Sequence, residues 1–449
     1  MPHAPASEDA STLLTVRPSG GLRGRLRVPA SAALAHRALV VGLLSIGETV
    51  IEGVGETRAE IAALARTARA CAALGARVEM CGEGRVAVAG VGIGGLVAPR
   101  EALVVDRIAL APLLGACAGH PIASRFAAAA PLPEGLAEAL TRQGARLVRG
   151  GADLLVEGSR EVIPIVVDGS ADAATLAAVL LAGLNGPGRT TIVEPAATGD
   201  AMASLLARAG ATIRVTPQGE AGRSIALDGW PELVGRPLAL PADPARAAAL
   251  ALGAIVVPGS DIVLDGLDRD GPAGALVASL RAMGAAIADE PSAIADLASL
   301  RVRAGALSGA VVAAEIVRAL GPALPALVLA AACAAGESRL AGIARRADAS
   351  RVAALGAALA GLGVAHHVAG EDLVIEGAGG DVARPPRGGA RIDAGGDPAL
   401  AAGLAALGAA AEPDGLAIDN VGDDDDLPGF VAQLRALGAD VEECARWAS

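Results

Sequence analysis

Ser31, His36 and Arg37 open a run of apolar residues and are the first side chains whose types suggest chemistry. A guanidinium at the start of a helix can hold a phosphate, because the helix N-terminus also attracts negative charge. Two structural roles compete with that one: a serine at this place caps the helix, and an arginine forms a salt bridge or faces water. We assign no chemistry to His36 and keep both interpretations of Ser31 and Arg37.

A second group of charged side chains lies at a helical spacing. Arg345, Asp348 and Arg351 are three residues apart from one another in turn. On a helix this spacing places the carboxylate within reach of both guanidinium groups. We favour structural ion pairs over a role in holding an anion.

Three further motifs carry little chemistry. The four aspartates at residues 423–426 lack the glycine and the distal glutamate of a calcium loop, which favours a solvated acidic turn. The glycine-rich residues 92–95 resemble a phosphate loop, but no lysine follows them. His366 and His367 are adjacent on an expected strand and therefore point to opposite faces. We predict no metal ion and no cofactor.

The composition excludes several classes of function. The net charge is −12, with 37 basic and 49 acidic residues, and every basic residue is an arginine because the chain contains no lysine. Schiff-base chemistry on a side chain is therefore excluded. The negative charge and an aromatic content of only 1% argue against nucleic acid as a partner.

The location of the protein is predicted from what the sequence lacks. No apolar run reaches the length of a membrane-spanning helix, and the first residues carry Glu8 and Asp9 rather than a basic segment followed by an apolar one. The five cysteines are scattered without metal spacing, which is typical of small buried hydrophobes. We expect a cytoplasmic protein that does not contact membranes.

One short sequence motif, here called the recurrent phrase, occurs about every 70–80 residues along the chain. It consists of the end of an aliphatic helix, a glycine and then a strand. A glycine after a helix is the usual left-handed stop. A second glycine followed by a strand precedes several of these phrases, so the repeated unit combines helices, glycine turns and strands. The glycines of the phrase are Gly75, Gly144, Gly210, Gly284, Gly363 and Gly438.

Longer stretches resemble a known family. Residues 17–29 (RPSGGLRGRLRVP), followed by ASAALAHRALVVGLLSIGETVIEG, are similar to the opening of EPSP synthases, the 3-phosphoshikimate 1-carboxyvinyltransferases. Later segments keep the same order, among them DGSADAATLAAVLLAGLNGPGRTTIVEP, ARRADASRVAALGAALAGLGV and LPGFVAQLRALGADV. The resemblance covers nearly the whole chain.

The resemblance implies a two-domain inverse α/β barrel with six βαβαββ-type units, three per domain. The first domain would comprise residues 1–28 and 238–449, and the second would comprise residues 29–237. The active site of this family lies in the cleft between the domains. There it transfers the enolpyruvyl group of phosphoenolpyruvate to shikimate 3-phosphate in aromatic amino acid biosynthesis.

The residues that match the family motifs are few. The resemblance implies substrate contacts for Ser31, Arg37, Ser170, Arg345, Arg351 and Asp397, and a catalytic carboxylate at Asp348. Other positions have lost the family residue. Three lysine positions of the family hold Ala32, Ala347 and Asp425, and Pro322 replaces the aspartate expected as the general base. Three family arginines are also lost, one within residues 105–111 and the others at Pro131 and Ala399. Losing three lysines and three arginines would weaken substrate binding by roughly 9 kcal/mol if their charge-assisted bonds were additive.

Two hypotheses follow. The chain is either an EPSP synthase-family enzyme that still transfers an enolpyruvyl group, or a non-catalytic homologue that clamps a regulatory ligand or a protein partner. The partners would be small anionic substrates in the first case, while the second leaves the partner unidentified. The replaced residues favour impaired or lost catalysis.

Overall fold

The computed structural model describes residues 14–55, 57–168, 172–194, 201–219, 222–346, 349–379, 388–422 and 427–443. These residues divide into two compact units. The terminal unit joins the residues up to Val28 to those from Pro241 onward, and the inserted unit is Pro29–Leu240.

The chain begins in the terminal unit and then forms the whole inserted unit. The first strands are β1 (Leu14–Arg17) and β2 (Arg23–Arg27). The inserted unit contains six helices: α1 (Ala32–Leu43), α2 (Arg58–Ala73), α3 (Arg107–Ala118), α4 (Leu136–Arg142), α5 (Ala173–Gly183) and α6 (Met202–Ala209). Its strands are β3 (Ile46–Glu52), β4 (Arg77–Gly82), β5 (Arg85–Val91), β6 (Ala123–Phe126), β7 (Arg146–Gly150), β8 (Asp153–Glu157), β9 (Val166–Asp168), β10 (Arg189–Glu194), β11 (Ile213–Gln218), β12 (Gly222–Asp228) and β13 (Leu238–Ala239).

The rest of the terminal unit follows. Its helices are α7 (Pro244–Val256), α8 (Pro272–Ala282), α9 (Ala314–Leu320), α10 (Leu324–Ala332), α11 (Ile343–Arg346), α12 (Ala349–Gly361), α13 (Pro398–Gly408) and α14 (Leu427–Ala436). Its strands are β14 (Asp261–Leu267), β15 (Ala286–Glu290), β16 (Ala298–Arg303), β17 (Val311–Val312), β18 (Ala335–Leu340), β19 (His366–Ala369), β20 (Asp372–Ala378), β21 (Ala390–Asp393), β22 (Leu416–Asp419) and β23 (Asp440–Glu443).

The described strands form three sheets in each unit. The terminal unit has the orders β21-β22-β1-β23, β15-β16-β14-β2 and β17-β18-β20-β19, and the inserted unit has β13-β3-β5-β4, β11-β12-β10-β9 and β6-β8-β7. In most sheets a strand pairs antiparallel with one neighbour and parallel with another, as β14 does with β16 and β2.

Each sheet packs on one buried helix. In the inserted unit α1 contacts β5, α3 contacts β8 and α5 contacts β10; in the terminal unit α7 contacts β14, α10 contacts β20 and α13 contacts β22. The inner helices of each unit also contact one another, which their alanines, leucines and glycines permit. A Cβ atom on Gly115 of α3 would lie only 2.3 Å from the Ala178 carbonyl oxygen of α5. The six inner helices therefore provide the two cores.

The recurrent glycines end helices as predicted. All six adopt a positive φ, from 71° at Gly363 to 115° at Gly75. Each lies between a helix and a strand, as Gly75 lies between α2 and β4. Glycine is the residue that takes this conformation without steric cost, so the phrase in the sequence specifies a real turn.

The helical residues Ala314–Ala332 are long and apolar enough, by length and composition, to cross a membrane. Gly321 and Pro322 divide this stretch into α9 and α10. All nine residues of α10 are buried in the core of the terminal unit. The apolar character of α10 is explained by this packing.

Candidate functional site

Ser31 begins α1 in the way that its structural interpretation predicts. Its hydroxyl accepts a hydrogen bond from the Leu34 N–H at 3.4 Å. Arg37, one turn further on, is half-buried and donates from Nη2 to the carbonyl oxygen of Ala173 at 3.3 Å. Ala173 is the first residue of α5, so Arg37 links the starts of two inner helices.

A buried polar cluster lies beside α1. His36 shares a hydrogen bond of 2.7 Å with the Thr67 hydroxyl, and burial lowers the pKa of His36 to about 4. Arg66 donates from Nε to both carboxylate oxygens of Asp106, at 2.8 and 2.9 Å. Asp106 precedes α3 and makes no side-chain cap bond, because its carboxylate is engaged by Arg66. The imidazole of His36 is therefore neutral at physiological pH.

The glycine-rich residues 92–95 form a loop tied to a buried histidine. Gly94 N–H donates to Nε2 of His120 at 3.0 Å, and the other ring nitrogen lies 2.7 Å from the Ala116 carbonyl oxygen. His120 thus carries its proton on Nδ1. The Gly94 N–H is satisfied internally, which argues against a phosphate loop here.

The terminal unit contains a pocket of about 570 Å³ that lies at the starts of several helices. Asp243 precedes α7, Asp397 precedes α13, and Ser350 and Arg351 lie in the first turn of α12. Every lining residue belongs to this unit. The lining residues are Asp243, Ala245, Arg246, Pro322, Ser350, Arg351, Ala354, Gly395, Gly396, Asp397, Pro398, Ala399, Ala402, Leu427 and Phe430.

Both aspartates of the pocket cap helices. The carboxylate of Asp243 accepts from the Arg246 N–H at 2.7 Å. Oδ1 of Asp397 accepts from the N–H groups of Ala399 and Leu400, at 2.9 and 3.3 Å. These bonds satisfy backbone donors that a helix N-terminus would otherwise offer to a ligand.

Arg351 is paired with Asp397. Nε of Arg351 lies 2.9 Å from Oδ2 of Asp397. This N–H is not aligned as a hydrogen bond, so the contact is an ion pair made by proximity and charge. The partner differs from Asp348, which the helical spacing suggested and which lies outside the described residues.

The described lining of the pocket balances its charges. Arg246 and Arg351 face Asp243 and Asp397, which gives no net charge among the described lining residues. Arg246 is only 2% exposed although it lies in the first turn of α7, where the helix dipole disfavours a cation. Pro322 is also in the lining, and a proline side chain can neither accept nor donate a proton.

The predicted site residues that the structure describes fall in both units. Arg351 and Asp397 meet in the pocket of the terminal unit, while Ser31 and Arg37 lie at the start of α1 in the inserted unit. Ser170, Asp348, residues 423–426 and the side chain of Arg345 lie outside the described part of the chain. Sequence reasoning missed Asp243 and Arg246, although the aspartate-proline start of α7 was a visible cap signal.

Paired sheets and inner helices in two units, with a polar pocket where helices begin, define a two-unit α/β protein. A family model described as EPSP synthase (3-phosphoshikimate 1-carboxyvinyltransferase) matches residues 16–434. This chain belongs to the EPSP synthase family. The family and the fold expected from the sequence are thereby confirmed.

Individual relatives agree with this assignment. The chain is 38% identical over 443 residues to a protein of Methylobacterium radiotolerans named 3-phosphoshikimate 1-carboxyvinyltransferase, covering 95% of this chain and 97% of the relative. A protein of Afipia carboxidovorans with the same name is also 38% identical, over 96% of this chain and 98% of its own length.

Solved structures show the same fold. EPSP synthase from Acinetobacter baumannii superposes with a TM-score of 0.81 at 25% identity, covering 97% of this chain and 100% of that one. The enolpyruvyl transferase NikO from Streptomyces tendae has a TM-score of 0.63 at 18% identity, a likeness of fold alone.

Proposed function

We propose that this chain is a non-catalytic member of the EPSP synthase family, in which the fold persists without the proton-transfer and anion-binding groups of the reaction. The observation that carries this proposal is the lining of the terminal-unit pocket. Pro322 stands there at the position that resemblance assigns to the general base.

The reaction of the family makes demands that this chain meets poorly. Phosphoenolpyruvate and shikimate 3-phosphate each carry a phosphate and a carboxylate, so their binding needs several converging cations. The chain has no lysine at all. Positions 32 and 425, which resemblance assigns to lysines, hold an alanine and an aspartate. Transfer also needs groups that accept and donate protons, which Pro322 cannot supply.

Carboxylates at the starts of inner helices support the same proposal. Asp106, Asp172, Asp243 and Asp397 precede α3, α5, α7 and α13. Helix N-termini are favourable places for a bound phosphate or carboxylate. The carboxylates of Asp172 and Asp243 accept backbone N–H bonds there, which leaves fewer donors for an external anion.

The second candidate function is enolpyruvyl transfer itself. It is favoured by 38% identity to relatives named for that activity and by the presence of Arg37 and Arg351. In that case the substrates would be phosphoenolpyruvate and shikimate 3-phosphate. The cytoplasmic location expected from the sequence remains a prediction under both functions.

Phosphate release separates the two candidates. The purified chain is mixed with phosphoenolpyruvate and shikimate 3-phosphate, and the Methylobacterium radiotolerans relative serves as the active control. We expect no release above the rate without protein, because the proton-transfer residues are replaced. A turnover of about 1 per second or faster would reject the proposal.

Growth provides an independent readout. A bacterial strain that lacks its own transferase requires aromatic amino acids, and the relative should restore its growth. We expect the present chain to accumulate as folded protein without restoring growth. Colonies on medium without aromatic amino acids would support the transferase instead.

A further inference from the structure

We propose that His120 is a proton-sensitive latch: it holds the glycine-rich residues 92–95, here called the glycine loop, in place and releases them on acidification. The latch is one hydrogen bond from the Gly94 N–H to the imidazole, which the neutral ring accepts and the protonated ring cannot. This inference concerns the conformation of the inserted unit, so it does not depend on whether the chain transfers an enolpyruvyl group.

The protonation state of His120 is defined by its two ring contacts. Nδ1 lies 2.7 Å from the carbonyl oxygen of Ala116, four residues earlier, and a carbonyl can only accept, so Nδ1 carries the proton. Nε2 is therefore an acceptor and receives the Gly94 N–H at 3.0 Å. A second proton on the ring would place an N–H on Nε2, facing the N–H of Gly94. Two donors cannot bond to one another, so the loop would lose this contact.

The middle of the glycine loop depends on this contact. Gly92 and Gly94 are left-handed, with φ of 75° and 85°. The loop begins at a backbone bond from the Gly92 N–H to the Ser45 carbonyl oxygen at 3.1 Å, and the Gly95 N–H bonds within the loop, to Gly92 at 3.2 Å. Among the described hydrogen bonds, the one to His120 is what ties the middle of the loop to α3 and its following turn.

The imidazole is buried, whereas the residue that bonds to it lies at the surface. His120 is 1% exposed and Gly94 is exposed. Burial disfavours the charged ring and lowers the pKa of His120 below the usual 6.5, although the Ala116 carbonyl acts in the opposite direction. The ring is therefore neutral and the loop is held at pH 7. As pH falls through the lowered pKa, the ring takes up a proton and the loop is released.

The described surroundings of His120 are largely uncharged. The last turns of α1, α2, α3 and α5, all within the described chain, contain no charged residue. α3 offers the Cys117 thiol, whose pKa burial raises to about 12, and the turn after α5 offers Asn185, which donates to the Gly119 carbonyl oxygen at 2.7 Å. The adjoining strands β6, β7 and β8 carry two ion pairs near the surface, Arg125 with Asp153 and Arg146 with Glu157. His120 is thus the titratable group that bonds to the loop.

Hydrogen exchange tests the latch in the full-length chain. Mass spectrometry with single-residue fragmentation follows the Gly94 amide at several pH values from 7.5 to 4.5. Division of the intrinsic exchange rate at each pH by the measured rate gives a protection factor. We expect the protection of Gly94 to fall at least about fivefold from pH 7.5 to 4.5, because acidification removes one hydrogen bond. Circular dichroism establishes that the chain is folded at each pH.

Substitutions at position 120 separate titration from the hydrogen bond itself. The side-chain amide of His120→Gln can accept from Gly94 and donate to the Ala116 carbonyl oxygen, but it does not titrate. We expect this variant to protect Gly94 at pH 7.5 and to keep that protection at pH 4.5. His120→Leu removes the acceptor, so Gly94 should be at least about fivefold less protected at pH 7.5.

His36→Gln is the matched control, since His36 is another buried histidine of the inserted unit and bonds to Thr67 instead. It should keep the pH-dependent loss at Gly94. The proposal is overturned if Gly94 protection in the folded unaltered chain does not change with pH, if folded His120→Gln loses protection as the unaltered chain does, or if His36→Gln abolishes the loss. The first and third outcomes need no variant at position 120, so the test stays decisive if substitutions there prevent folding.

Discussion

At the scale of single residues, the sequence predicted contacts between neighbouring residues but not contacts between residues far apart in the chain. Ser31 caps α1 through Leu34, three residues away, as its position before an apolar run predicted. Arg351 pairs with Asp397, 46 residues further along the chain. That pair depends on the turn at Gly395 and Gly396, whose path the spacing of charges does not reveal.

Acidification should expose the cost of burying His36. Burial keeps its pKa near 4, below the usual value of 6.5, so the unfolded chain takes up a proton between these values while the folded chain does not. The free energy of unfolding therefore falls by up to about 3 kcal/mol as pH drops from 6.5 to 4. Above pH 6.5 the imidazole is neutral in both the folded and the unfolded chain, so the free energy of unfolding carries no penalty from His36.

His36→Gln tests this origin of the pH dependence. Urea unfolding from pH 7.5 to 4.5 should show a shallower slope of stability against pH in this variant. Some slope should remain, because burial also lowers the pKa of His120. His367→Gln is the control, since His367 is exposed on β19. Equal slopes for the unaltered chain and His36→Gln would contradict the assignment.

The cysteines should differ sharply in reactivity. Cys71, Cys117 and Cys333 are buried, and burial raises the pKa of each thiol to about 12, whereas Cys81 is exposed. A thiol with a raised pKa and no solvent access is a poor nucleophile. In a Cys444→Ser background we expect one thiol to react with a disulfide reagent in the native protein and four after denaturation. Rapid native reaction of a second thiol would refute this.

At the scale of elements, the sequence predicted helix ends well because the signal is local. Each recurrent glycine is left-handed, which depends only on the residue itself and its helix. The helix ends that the recurrent glycines predicted before Gly75 and Gly363 are those of α2 and α12. The order of strands within each sheet brings together distant segments, such as β2 and β14, and no local signal specifies it.

Glycines inside helices should respond to alanine according to their surroundings. Gly115→Ala places a Cβ 2.3 Å from the Ala178 carbonyl oxygen, so α3 and α5 must separate, at a cost of about 1–3 kcal/mol or more. Gly356→Ala in α12 meets only the His366 ring, at 3.4 Å from Nε2 and 4.0 Å from Cδ2, and should be neutral or stabilising by up to about 1 kcal/mol. Thermal unfolding measures both. Similar midpoints for the two variants would disprove the close packing.

At the scale of the whole molecule, the repeated architecture is independent of the side chains that would perform the reaction. Three sheets and three inner helices in each unit follow from aliphatic residues and glycines. The chain keeps these sheets and helices although it is only 38% identical to relatives named as transferases. Its terminal-unit pocket nevertheless contains Pro322, which cannot transfer a proton. Different residues thus determine the fold and the reaction, and a stable protein needs only those that determine the fold.

The central claim is tested most directly by a search for the product itself. The chain is incubated overnight at a concentration equal to that of phosphoenolpyruvate and shikimate 3-phosphate, and the carboxyvinyl product is measured by mass spectrometry. The Methylobacterium radiotolerans relative, diluted in the same buffer, provides the positive control. We predict that both substrates are recovered unchanged in the presence of folded chain. Formation of one equivalent of the carboxyvinyl product would contradict the claim.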